Sequence, residues 1–187
     1  IGTGPSGESA AINAAKIAGA GMIIAADPLP EKRALAETLV EMESETRLLV
    51  LGKRGETADT AHEHLGSNLE RVVRSSHRPV FVANRAFKPI DKVLVAYDGG
   101  ASSMKAVDAM ARSPLFAGLS VKLLTVGSDT SEARNRLADA EAVLRGGGIE
   151  ATSEVLPGQP ETVISERVES ENYGLLVMGA YGHSRIR

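Results

Sequence analysis

Three short stretches carry residue types suited to binding chemistry. Gly179, Ala180, Tyr181, Gly182, His183 and Ser184 follow the apolar run 175–178. Glycine lets the backbone come close to a ligand, and successive N–H groups can form an anion nest. Arg185 and Arg187 lie just beyond and would offset phosphate charge. A tight strand exit needs the same glycines wherever φ is positive, so this turn alone fits both readings. Asp98 closes the run Val93, Leu94, Val95, Ala96, Tyr97 and precedes Gly99 and Gly100. A carboxylate there can accept hydrogen bonds from ribose hydroxyls or an adenine amino group. It serves equally well as a helix cap ahead of Ser102 and Ser103.

The third stretch, residues 52–67, is ambivalent. Lys53 and Arg54 suit an anion, whereas Glu56, Asp59 and Glu63 oppose one. Ser67 reads as the cap of the next helix. His62 and His64 stand two apart without a third neutral ligand at a recognised spacing, and zinc needs three or four, so no metal is expected. His77, before Arg78 and Pro79, reads as a surface residue. No Gly-x-Ser-x-Gly elbow and no Walker loop occur, so no catalytic constellation is expected.

Composition narrows the classes. With no Cys among 187 residues, disulfides, thiolate catalysis and Cys-held zinc or iron–sulfur sites are excluded. A net charge of −3 and 3% aromatic residues argue against a nucleic-acid footprint or base-stacking platform. No apolar run approaches the roughly 18 residues of a membrane helix, and no secretory leader is evident. A cytoplasmic protein without a membrane or nucleic-acid partner is the expectation.

These residues need elements to hold them. Short runs rich in Val, Ile and Leu recur at 22–26, 48–51, 80–83, 93–97, 121–126 and 175–178. Without strict alternation, they read as strands buried on both faces of a parallel sheet. Helices fit between them. In 132–145, Ala133, Leu137, Ala140 and Leu144 share a face, with Arg134, Arg136, Asp139 and Glu141 largely off it. Ser131 or Thr130 would cap this helix, and Gly146, Gly147 and Gly148 would stop it. A helix over 161–171 follows Pro160 and should bury Val163, Ile164 and Val168. Residues 31–43 carry Leu35, Leu39 and Met42 on one face, and the helix after Ala101 carries Met104, Val107 and Met110. The alternation predicts an α/β fold with an open parallel sheet covered by helices.

An internal repeat sets the domain count. Residues 47–55, ArgLeuLeuValLeuGlyLysArgGly, match 174–182, GlyLeuLeuValMetGlyAlaTyrGly. Residues 9–15 match 103–109 in a similar way. Two homologous domains follow, 1–85 and 86–187, with a linker around 84–91 that contains Pro89. The copies are incomplete in complementary ways, so residues are expected to be missing near Asp27–Pro28 and after Arg187.

The repeat and its loops resemble the universal stress protein family in its tandem two-domain form. The resemblance rests on the Asp98, Gly99, Gly100, Ser102, Ser103 motif and on 175–184, together with part of the family's Gly, two residues, Gly, nine residues, Gly, Ser/Thr pattern. It implies two Rossmann-like domains of the adenine nucleotide α-hydrolase type, each an open five-stranded parallel sheet with helices on both faces. It implies that Asp98 binds adenosine, with Ala96 and Tyr97 lining the site and Val126 touching adenine. Met178, Gly179, Tyr181 and Gly182 would hold ribose and the first phosphates, with His183 and Ser184 in the same loop. The implied ligand is ATP or AMP, with Mg²⁺ accompanying ATP. The implied role is a stress-response switch rather than an enzyme, with any ATP hydrolysis slow and incidental. The tandem domains would pack as a pseudo-dimer, and a further homodimer is compatible with the sequence. The alternative is a scaffold that engages a protein partner without a nucleotide. In the first copy Gly4 stands where Asp98 would fall, and residues 56–65 make a loop of ten, where the pattern has nine. The first domain is therefore expected to be degenerate.

Overall fold

The computed structural model describes residues 35–52, 67–84 and 88–180. The expected strand at 22–26, the join at Asp27–Pro28, the loop at 53–66 with His62 and His64, and Tyr181, Gly182, His183 and Ser184 lie outside the described residues. The chain divides into two compact units, Ile1–Phe87 and Lys88–Arg187.

In the first unit, helix α1 (Leu35–Glu41) is followed by a 3₁₀ turn (Glu43–Glu45), strand β1 (Leu49–Gly52), helix α2 (Ser67–Ser75) and strand β2 (Val80–Ala83). The strands pair in parallel, from Leu49 opposite Val80 to Gly52 opposite Ala83. Leu39, Leu49 and Val72 form the core between helices and strands. The pattern for α1 predicted a helix running on to Glu43, but it stops at Glu41. Thr46 Oγ1 donates to the Met42 carbonyl, and the turn carries the Glu43 carboxylate inward. That carboxylate accepts from Ser76 Oγ at 2.6 Å and the His77 N–H at 2.7 Å, while Arg78 Nε donates to the Glu43 carbonyl. The Ser76 bond, with those from His77, holds the Glu43 carboxyl below its ordinary pKa against the opposing effect of burial. His77 is at the surface, as its sequence context suggested, and its Nδ1 lies 3.1 Å from Glu43 Oε2.

The second unit runs β3 (Lys92–Ala96), α3 (Ala101–Ala111), a 3₁₀ turn (Pro114–Phe116), β4 (Ser120–Val126), α4 (Ser131–Gly146), β5 (Ala151–Leu156), α5 (Pro160–Ser170) and β6 (Leu175–Met178). Its four strands are ordered β5-β4-β3-β6, and all are parallel. The chain leaves β3 toward β4 on one side and returns to β6 on the other, which makes the β3/β6 boundary a topological switch point. Five strands were implied for each domain; the described residues hold four here and two in the first unit.

Val93, Leu94 and Val95 are fully buried, which accounts for the unbroken apolar run of β3. Val93, Val95 and Tyr97 face α3 and α4, where Val107, Met110, Leu137, Ala140 and Leu144 complete the main core. Leu94 and Leu124 face α5 with Tyr173. Val163, Ile164 and Val168 pack there but are only half-buried, because charged residues share that face. Lys122 Nζ lies 3.2 Å from Glu171 and 3.7 Å from Glu154, and Arg167 reaches both carboxylates. The helix expected at 132–145 spans Ser131–Gly146, capped by Thr130 Oγ1 accepting from the Ala133 N–H at 3.1 Å. Gly147 ends it under the Ala111 carbonyl, which would lie 2.3 Å from any Cβ there. Among the described residues no helix is long and apolar enough to cross a membrane.

Leu123 lies at the centre of this core with no exposed surface. Leu123→Ala should lower unfolding stability by about 2–5 kcal/mol, measured by urea denaturation with circular dichroism.

Candidate functional site

The ladder between β3 and β4 runs one residue past β3. Tyr97 N–H donates to the Leu124 carbonyl at 2.9 Å, and Thr125 Oγ1 donates to the Tyr97 carbonyl at 2.7 Å. Asp98 is the first residue off that ladder, at the switch point. Its Oδ1 accepts from the Gly100 N–H at 2.8 Å and from Ser103 Oγ at 2.6 Å. The first contact is an Asx turn; the second ties the carboxylate to the first turn of α3. The Ser103 hydroxyl also lies 3.0 Å from the Gly100 carbonyl, and the residue is 2% exposed. Asp98 therefore ties the turn before α3 to Ser103 in the helix's first turn, while the N-cap itself is Gly100 and no side chain caps the helix. Both donors fall on Oδ1; among the described residues no other residue hydrogen-bonds to Oδ2. The Ser103 hydrogen bond is the main reason the Asp98 carboxyl sits below its ordinary pKa; burial opposes it, and the Gly100 N–H and the Arg136 charge add to the lowering.

Gly179 closes the arrangement from β6. A Cβ on it would stand 2.6 Å from the Ser103 nitrogen and 2.7 Å from the Ser102 carbonyl carbon. The backbone leaving β6 thus lies directly against the turn that Asp98 organises, so the strand ends of β3 and β6 meet at Ser102 and Ser103.

Beside Asp98 a cleft of about 100 Å³ opens between the ends of β3 and β4 and the first turns of α4. Tyr97, Asp98, Gly99, Thr125, Thr130, Glu132, Ala133 and Arg136 line it. Tyr97 is 4% exposed, and burial raises the pKa of its phenol. Of the residues expected at the site, the structure therefore brings together Tyr97, Asp98 and Gly179. The Val126 side chain packs on the α5 face with the Leu94 cluster, away from Tyr97. Ala96, between Val95 and Tyr97 in the strand, alternates to that face too. Met178, at the end of β6, is 48% exposed. Thr125 and Arg136 lie outside the sequence expectation for the site, whereas Ser103 belongs to the motif that follows Asp98. Arg136 carried one usable signal: it follows Glu132 by four residues in the opening turns of a helix that leaves a strand's carboxyl end.

Two outcomes follow. Gly179→Ala should cost about 1–3 kcal/mol in denaturant unfolding, since the neighbouring atoms are backbone and must shift. Ser103→Ala should destabilise the protein at neutral pH and raise the Asp98 pKa toward its ordinary value. With the folded pKa lowered, Asp98's share of stability is full above the unfolded value of about 4 and is lost as pH falls through the folded value. Urea melts from pH 7 to 2 should show the gap between Ser103→Ala and the parent narrowing below about pH 4.

No family model matches the chain. Over 155 residues it is 42% identical to Universal stress protein Slr1230 of Synechocystis sp. (strain ATCC 27184 / PCC 6803 / Kazusa), covering 82% of this chain and 54% of that protein. The chain thus spans about half the length of this curated relative. Among solved structures, a universal stress protein from Archaeoglobus fulgidus DSM 4304 superposes with a TM-score of 0.60 at 22% identity, covering 91% of this chain and 64% of that one, and shows the same fold. A universal stress protein in complex with cAMP aligns over 53% of this chain and 82% of its own, with a TM-score of 0.43 and 22% identity. Over those 155 residues the chain is thus similar in sequence to a universal stress protein, and its described strands form parallel sheets.

Proposed function

We propose that the unit 88–187 binds an adenine nucleotide, ATP or AMP, and acts as a nucleotide-dependent switch in a cytoplasmic stress response. The observation that carries this reading is the convergence of Asp98 and Gly179 on Ser102 and Ser103 at the switch point of the sheet. Open α/β sheets take ligands at such a point, outside the carboxyl ends of the strands. In this reading Asp98 Oδ2 accepts from a ribose hydroxyl or the adenine amino group, while Oδ1 stays committed to α3. Tyr97 contributes from the end of β3, whereas Val126, whose side chain packs on the opposite face, contributes through its backbone only. Met178, Gly179, Tyr181 and Gly182 take the ribose and first phosphates, with His183 and Ser184 beside them and Mg²⁺ accompanying ATP. In this reading the role is binding, with any ATP hydrolysis slow and incidental. The first unit is the degenerate partner in a tandem pair, because Gly4 replaces the carboxylate.

The site's own chemistry agrees with this assignment in one respect and constrains it in another. A carboxylate held ionised well below neutral pH is a strong acceptor for hydroxyl and amino donors. The cleft, at about 100 Å³, is smaller than the roughly 300 Å³ at which small-molecule sites begin, so as it stands it would take only part of a nucleotide.

Asp98→Asn keeps an oxygen that can accept from Gly100 and Ser103 but removes the charge. Isothermal titration with ATP and AMP should show at least about a tenfold loss of affinity in this variant. Equal binding by Asp98→Asn and the parent would overturn the role of Asp98. Silence in both, with no nucleotide carried through purification by mass spectrometry, would leave the scaffold reading.

A further inference from the structure

From the walls of the cleft we infer that Arg136 is its lid, a movable side chain that sets how readily a ligand enters; the inference rests on the nucleotide reading above. Most of the other walls are fixed by the fold. Tyr97 is packed into the main core, and its carbonyl accepts from Thr125. Thr130 is committed to the Ala133 N–H. Asp98 is held by Gly100 and Ser103. Arg136 is different. Its side chain lies across Gly99, where a Cβ would meet Cδ at 2.6 Å, Nη1 at 3.1 Å and Nε at 3.4 Å. Gly99 has φ of +75°, so glycine at this position serves both the turn and the arginine lying over it. The described ion pair on Arg136 is with Glu132, whose Oε1 lies 2.5 Å from Nη2, with the side chains 50% and 73% exposed respectively, and its charge also acts on Asp98. An exposed i,i+4 ion pair holds a side chain only weakly. Arg136 and its partner Glu132, which also lines the cleft, are therefore the walls that can leave it at least cost, and of the two it is Arg136 that lies over Gly99.

A closed lid lowers apparent affinity by the fraction of molecules in which it is open, and deleting it removes that penalty. Adenosine is the informative probe, because it is neutral and its affinity is not biased by loss of the arginine charge. The experiment is titration of the full chain and of Arg136→Ala with adenosine and AMP. Arg134→Ala is the control, since Arg134 pairs with Asp129 and does not line the cleft. Arg136→Ala should bind adenosine about threefold or more tightly than the parent, with Arg134→Ala unchanged. Binding by Arg136→Ala alone, with a silent parent, supports the lid as well. Unchanged adenosine affinity in Arg136→Ala, with a parent that binds, overturns the lid and leaves the nucleotide reading intact. Weaker adenosine binding makes Arg136 a ligand contact and also overturns the lid. If neither protein binds either probe, the nucleotide reading falls and the lid falls with it.

Discussion

The hydrogen bond from the Ser103 hydroxyl to Asp98 is the contact on which the second unit's sheet edge is organised. A hydroxyl that is 2% exposed must find a partner inside the protein, because an unpaired buried donor is costly. Its partner here is a carboxylate at the end of the central strand. That pairing fixes the entry angle of α3, and the α3 turn in turn is the surface on which Gly179 lies. Three separate segments, the end of β3, the start of α3 and the end of β6, are thus held at one place by a short polar contact and a missing side chain.

Much of this was legible because the local signals were redundant. Helix α4 announced itself through the spacing of Leu137, Ala140 and Leu144, a Thr cap and a Gly stop, and its observed ends lie one residue beyond the expected ones. Strand β3 was legible because burial on both faces removes the need for alternation. Asp98 was legible as a position but not as a role. The sequence allowed capping or ligand binding, and the geometry shows one oxygen committed to Gly100 and Ser103 without capping α3, with the other left over. Where reading failed, a long-range contact decided the outcome. Nothing near Glu43 in sequence signals that its carboxylate will meet Ser76 and His77, more than thirty residues away. Arg136 was hidden for a related reason: periodicity sorts helix residues into inward and outward, and a residue at the rim between the two faces belongs to neither class.

The two faces of the β3–β6 sheet solve burial differently. Toward α3 and α4 the larger apolar cluster forms the core, with the Ser103 and Thr125 hydroxyls bonded at its edge, and close packing sets its order. Toward α5, Lys122, Glu154, Arg167, Glu171 and the Tyr173 hydroxyl form a linked set of charges around a smaller apolar cluster. Tyr173 donates to Glu171 at 3.0 Å, which is the leading cause of that carboxyl's lowered pKa. Apolar contact sets the position of α3 and α4, whereas α5 takes part of its registry from charge pairing. One oxygen of Glu154 is buried without a hydrogen bond, and Lys122 serves it only as a nearby charge.

The contact between Gly99 and Arg136 carries an evolutionary corollary. Any side chain placed at position 99 would strain a backbone at φ of +75° and displace the guanidinium from its bed in the same stroke. A change at position 136 alone carries no such double cost, since a shorter residue only uncovers the glycine. Drift among relatives should therefore be asymmetric: the backbone at φ of +75° holds the glycine in place, whereas a change at position 136 strains no backbone.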